Sequence, residues 1–153
     1  MRAVIQRVEH ASVAIQGDLC AKIDKGLLIL LGVGHGDSVV QAEELWNKIR
    51  SLRVFKDKTG KTNLSLEQIH GEVLVVSQFT LYANCRKGRR PSFVEAEEPI
   101  HACELYNYFC ALVEQDLGHV EHGKFGADMS VSLCNDGPFT LILDSQELES
   151  RRA

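Results

Sequence analysis

Val73-Leu74-Val75-Val76-Ser77-Gln78-Phe79-Thr80 opens as an apolar, β-branched run and ends in consecutive hydrogen-bonding side chains. Such a run reads as a strand, and the composition predicts it over 72–83. Upstream, Gly26 to Val33 is apolar without alternation, the pattern of a strand buried on both faces. Gly32-Val33-Gly34-His35-Gly36-Asp37 then breaks it. Asp37 or Ser38 can cap a helix, and Val39, Ala42, Leu45, Trp46, Ile49 and Leu52 follow at helical spacing. That predicts a helix over 38–52 between the two strands.

Working outward, Ala3 to Val8 and Ala11 to Ile15 read as two short strands around Glu9-His10, with Val4, Gln6 and Val8 alternating. Phe55 to Gly60 is polar and turn-like. Pro99 suits a first helical turn. Ile100, Cys103, Tyr106, Cys110, Val113 and Leu117 give a second amphipathic helix over 99–117, stopped by Gly118. Met129 to Cys134 and Phe139 to Leu143 form a last pair of strands around Asn135-Asp136-Gly137-Pro138. The expected class is α+β: a mostly antiparallel or mixed, barrel-like sheet with two main helices packed on it, as a single domain over 1–153.

A length of 153 residues, 44% hydrophobic and 25% charged, fits a globular chain with its own core. The N-terminal Met1-Arg2-Ala3-Val4-Ile5 lacks a signal-peptide h-region, and the longest apolar run, Leu27 to Leu31, is too short for a bilayer. A soluble, cytoplasmic protein with no membrane partner is expected. The five cysteines (Cys20, Cys85, Cys103, Cys110 and Cys134) are scattered and odd in number, which suits a reducing compartment. Cys85 stands apart because Arg86 and Lys87 adjoin it. The net charge of −4 argues against a general polyanion binder. Arg86, Lys87, Arg89 and Arg90 nevertheless concentrate positive charge in one loop, able to hold a phosphate backbone locally. Arg151-Arg152 is a smaller cluster. A solvated loop is the plain alternative.

No motif offers ready-made chemistry. Gly32-x-Gly34-x-Gly36 lacks the spacing of a phosphate loop and reads as a tight turn. His119 and His122 lack the further ligands of a zinc site, so no metal and no cofactor are expected. Ser77 is not in a G-x-S-x-G elbow. Asp136-Gly137 between apolar strands is first a hairpin signal. Pro138 weakens that reading, because it removes a ladder donor and its peptide bond adopts cis at low cost. A cis bond there would turn successive carbonyls to one side, and Gly137 leaves room for a ligand. The residues alone keep three classes open. These are an RNA-ester hydrolase, a general esterase or amidase using Ser77 or Cys85, and a noncatalytic nucleic-acid or protein-binding module using the basic loop.

Ser77-Gln78-x-Thr80 and Asn135-x-Gly137-Pro138-x-Thr140 resemble the two signature motifs of the D-aminoacyl-tRNA deacylases. The resemblance extends to Met1 to Val8, Leu30-Leu31-Gly32-Val33 and Lys124-Phe125-Gly126-Ala127-Asp128-Met129, and so spans essentially the whole chain. It implies hydrolysis of the ester between a D-amino acid, or glycine, and the 3′-terminal ribose of tRNA. It implies a homodimer with its active sites at the interface, where the Gly137-Pro138 turn of one subunit enters the pocket of the other and rejects L-amino acids. Ser77, Gln78, Phe79 and Thr80 are then the catalytic segment, with the backbone amides of Gln78 and Phe79 holding the ester. Phe125 and Met129 help form the pocket for the terminal adenosine, and Arg7 supports the turn. The substrate 2′-OH is the main activating group in this picture, with Thr80 as nucleophile the alternative. Phe139 stands where the resemblance leads one to expect a smaller β-branched residue, so packing behind the turn should differ.

Overall fold

The computed structural model describes residues 1–149; Arg151 and Arg152 lie outside them. The longest pairing joins β1 (Arg2–Ile15) to β8 (Ser130–Asp144), antiparallel along almost the full length of both. On its other edge β1 pairs first with β3 (Gly26–Gly32), through Arg2 to Val8, and then with β2 (Asp18–Ile23), through Ala11 to Ile15. The expected two strands are therefore one. Glu9-His10 marks a change of partner rather than a break.

β3 continues in parallel to β6 (Glu72–Ser77), and β6 in parallel to the short β7 (Glu121–His122). The sheet is thus mixed and curls toward a barrel. A separate small hairpin, β4 (Phe55–Lys56) with β5 (Thr62–Leu64), occupies the segment expected to be only a turn. Helices α1 (Val39–Ser51) and α2 (Pro99–Leu117) are the two anticipated, and a short α3 (Ser145–Glu149) follows β8. Ser38 caps α1 in a reciprocal box with Gln41. Gly118 ends α2 in the left-handed region, at φ +76°, where glycine carries no Cβ penalty. Among the described residues no helix is long and apolar enough to cross a membrane.

Period-two alternation builds two cores from the same strands. Val73 and Val75 face α1 and α2 with Ile5, Leu27, Ile29, Trp46 and Phe109. Leu74 and Val76 face the barrel interior with Val8, Val13, Ile23 and Leu28. Trp46 packs edge-on against Phe109, with ring centroids 5.9 Å apart, and its indole N–H donates to Asp116 at 2.8 Å. Burial on both faces explains why β3 and β6 show no polar alternation.

Two expectations need correction. The strand predicted over 72–83 stops at Ser77, and Phe79–Tyr82 is a 3-10 turn. Tertiary contacts override the local β propensity there. Arg2 donates to the Leu81 carbonyl at 3.2 Å, and its guanidinium lies 4.4 Å from the centre of the buried Tyr82 ring. Tyr82 in turn presses on Gly34, where an added Cβ would come within 2.5 Å of its ring carbons. The second correction concerns 129–134 and 139–143, which do not pair with each other as a hairpin. They are the two halves of β8, and both pair with β1.

Candidate functional site

At the Asn135-Asp136-Gly137-Pro138 motif the β1–β8 ladder runs from Gln6↔Thr140 to Val8↔Asn135. Only Arg7 lies between those pairs on β1, whereas Asp136, Gly137, Pro138 and Phe139 lie between them on β8. The four residues leave the ladder as a bulge, a device that aims backbone outward. Asn135 staples it. Its amide nitrogen donates to the Arg7 carbonyl at 3.2 Å and to the Phe139 carbonyl at 2.8 Å, while its oxygen accepts the Phe139 N–H at 2.8 Å. Arg7, only 4% exposed, donates from Nε to the Asp136 carbonyl at 2.9 Å and from Nη1 to the Val54 carbonyl at 2.6 Å. Its guanidinium also stacks on Phe139, so the large residue at 139 gives Arg7 an aromatic floor. The Gly137–Pro138 peptide is cis, and both residues are exposed.

The other motif opens onto a cavity of about 660 Å³, walled by Ser77, Gln78, Phe79, Phe125 and Met129 among others. The Val75 carbonyl fixes this wall. It accepts the Tyr106 hydroxyl at 2.9 Å and the Gly123 N–H at 3.0 Å, tying β6 to α2 and to the 123–129 segment. Tyr106 then meets Phe125, with ring centroids 5.8 Å apart. Burial pushes the Tyr106 phenol well above its usual range, so it stays a donor. Gly123 leaves room for Met129, whose sulfur would lie 2.5 Å from a Cβ at that position.

Within the 77–80 segment the Gln78 N–H donates to the Leu31 carbonyl at 2.8 Å. That bond occupies the Gln78 amide, one of the two that the sequence analysis expected to hold an ester, the other being that of Phe79. The Gln78 side chain donates to Thr80 Oγ1 at 2.6 Å. Thr80 is exposed beside the cavity and not part of its wall.

One chain thus gathers Ser77, Gln78, Phe79, Phe125 and Met129, but not Gly137 and Pro138, which are absent from the cavity wall. Arg86, Lys87, Arg89 and Arg90 lie on an exposed loop closed by paired hydrogen bonds between Asn84 and Ser92, and Cys85 is exposed there too. His119 pairs with Glu121 and His122 with the Gly123 carbonyl. Among the described residues no group of three His, Cys, Asp or Glu side chains is placed to hold a metal. The sequence reading missed Phe93, Ala96, Glu97, Glu98 and Pro99 as cavity wall. They follow the basic loop and fold back, and no periodicity signals that return.

The sequence model of the D-Tyr-tRNA(Tyr) deacylases matches residues 4–144. A D-aminoacyl-tRNA deacylase of Thermosipho melanesiensis is 53% identical over 149 residues, covering 97% of this chain and 99% of the relative. Its counterpart in Thermus aquaticus is 53% identical over 152 residues, covering 99% and 100%. A solved structure named c-Myc DNA Unwinding Element Binding Protein superposes with a TM-score of 0.89 at 39% identity, over 94% of this chain and 98% of that one. A probable eukaryotic D-amino acid tRNA deacylase shares the fold, with a TM-score of 0.77 at 18% identity over 93% and 97%. With the motifs, the bulge and the cavity in place, the chain belongs to the D-Tyr-tRNA(Tyr) deacylase family.

Proposed function

We infer that the protein hydrolyses the ester between a D-amino acid and the 3′-terminal ribose of tRNA. The observation that carries this reading is the match to the deacylase family over 4–144, joined to a cavity walled by Ser77, Gln78 and Phe79 with Phe125 and Met129. Water adds to the ester carbonyl carbon, the bond to the ribose oxygen breaks, and a proton passes to that oxygen. The products are the free amino acid and the tRNA 3′-OH. The ester is intrinsically labile, and the adjacent 2′-OH assists the attack. The site then needs mainly positioning and a donor for the developing oxyanion. The Phe79 amide fills that role, while Ser77 and the Gln78–Thr80 pair shape the site. Phe125 and Met129 receive the terminal adenosine.

The chiral filter is Gly137-Pro138, supplied by a second copy of the chain. Two-fold symmetry would let each subunit complete the other's site. The separation of this exposed, stapled turn from its own chain's cavity supports that arrangement. Its carbonyls accept the substrate amino group and collide with the β-carbon of an L-amino acid. Glycine escapes the collision and is cleaved. No cofactor enters this scheme, and the partners are aminoacylated tRNA and the second subunit.

Release of amino acid from matched D-tyrosyl-, L-tyrosyl- and glycyl-tRNA tests the reading. Selective loss of the D and glycyl esters is expected. Equal rates for D and L would overturn the filter, and no release from any of them would overturn the activity. Binding of tRNA without release would instead support the noncatalytic module, a reading favoured by the basic loop.

A further inference from the structure

Residues 91–98 form a strap between the basic loop and α2. Phe93, Val94 and Glu95 on it are exposed. Yet this strap delivers Phe93 edge-on to Phe79, with ring centroids 5.0 Å apart, and supplies Ala96 and Glu97 to the cavity wall. A segment with so little buried surface opens easily unless something ties it down.

The tie is His35, from the loop between β3 and α1. Its backbone N–H donates to the Glu95 carbonyl at 3.3 Å, and Glu97 N–H donates to the Val33 carbonyl at 3.0 Å. Its ring adds two contacts, Nε2 to the Val94 carbonyl at 2.8 Å and Nδ1 to a Glu97 carboxylate oxygen at 3.4 Å. Both partners are acceptors. A neutral imidazole carries one N–H and can serve only one of them, whereas the imidazolium serves both. Glu97 suits the pairing: the Glu98 N–H first, then His35 and His101, hold its carboxyl below the usual range.

We propose that His35 is a positioning residue for deacylation, clasping the 91–98 strap through Val94 and Glu97 and thereby fixing Phe93 against Phe79 at the cavity. The inference rests on the reading of that cavity as the site of ester hydrolysis. His35 is not part of the cavity wall and acts through the strap. Around the clasp, His101 on α2 acts on Glu97 and pairs with Glu104, and Arg2 on β1 feels Glu95.

Two readouts test the clasp: hydrogen exchange of the strap amides, and KM and kcat for D-tyrosyl-tRNA. In His35→Ala the Ala96 and Glu97 amides should exchange faster while α2 core amides do not change. KM should rise on the order of threefold, the scale of a partly exposed ion pair. A kcat held within about twofold would mark lost positioning rather than lost chemistry. His35→Gln keeps a donor for Val94 and should fall between the wild type and His35→Ala. Unchanged strap exchange in His35→Ala overturns the clasp whatever the activity. Faster exchange with unchanged KM overturns the positioning role. A wild-type protein that releases no D-tyrosine overturns the deacylase reading and the role built on it, while the exchange result still decides the clasp.

Discussion

The Arg7 guanidinium lies 4.6 Å from the centre of the Phe139 ring and donates to the Asp136 carbonyl beneath the Gly137-Pro138 turn. One buried cation thus holds both flanks of the exposed turn, and a third bond, to Val54, ties it to the β4 side of the core. Charge-assisted bonds in buried positions are worth more than neutral ones. Arg7→Ala should cost about 2–3 kcal/mol in urea unfolding, because it leaves the Asp136 and Val54 carbonyls without a donor. Arg7→Lys keeps the charge but not the fork, and should recover less than half of the lost D-tyrosine release. A Lys variant with full activity would show that charge alone supports the turn.

Gly137 is exposed, yet a Cβ there would lie 2.2 Å from the Phe139 nitrogen and 2.9 Å from the Phe139 Cβ. The clash is within the turn itself, so even Gly137→Ala must move it. Global stability should change by less than about 1 kcal/mol, since no core contact is lost. Release of D-tyrosine should fall at least tenfold, or discrimination against L-tyrosine should weaken. Wild-type rates and selectivity in Gly137→Ala would remove the turn from the mechanism.

How much of this was legible beforehand depends on whether the signal was local. The helices were, because capping by Ser38 and the stop at Gly118 are written in adjacent residues. The doubly buried strands were, because Val73 to Val76 and Leu27 to Leu31 are apolar on both faces. The 3-10 turn at Phe79 was not, because Arg2 and Gly34 impose it from distant parts of the chain. Nor was the bulge, since Asp-Gly between apolar runs announces a hairpin unless a long partner such as β1 takes both halves. At the site, Ser77 to Phe79 were named from sequence, while the wall from Phe93 to Pro99 needed the strap's return.

Cys110 and Cys85 are predicted to behave oppositely. Burial pushes the Cys110 thiol up to about 12, so it should react with an alkylating reagent only on unfolding. Cys20 and Cys85 are exposed and should label in the native protein. Counting labelled thiols by mass spectrometry before and after denaturation checks this. D-tyrosine release that survives Cys85 labelling would dispose of the thiol-esterase alternative; loss of release would revive it.

His101 should contribute to the pH dependence of stability. Its ring nitrogens meet the Asp37 carbonyl at 3.2 Å and Glu104 at 3.5 Å, and these contacts raise its pKa above 6.5. A folded-state pKa raised above the unfolded value adds stability that is fully present below the unfolded value. That stability is lost as pH climbs through the raised one. Urea midpoints between about pH 5 and 8 should therefore decline less in His101→Asn than in the wild type. Parallel declines in the two proteins would assign the dependence to other groups.

The basic loop makes a prediction about salt rather than rate. Arg86, Lys87, Arg89 and Arg90 are exposed, and among the described residues none of the ion pairs engages them. If they neutralise tRNA phosphates, each contact releases counterions and steepens the fall of affinity with salt. The expected slope is about 0.7–0.9 per phosphate in a plot of log K against log salt. Replacing all four by glutamine should weaken tRNA binding and flatten that slope by up to about 3. The loop is closed by backbone bonds between Asn84 and Ser92, so the substitutions leave its frame in place. The rate at saturating tRNA should then stay near wild type, separating recruitment from chemistry. An unchanged slope would make the loop a solvated surface and move the search for phosphate contacts to Lys124, beside Phe125 at the edge of the cavity wall.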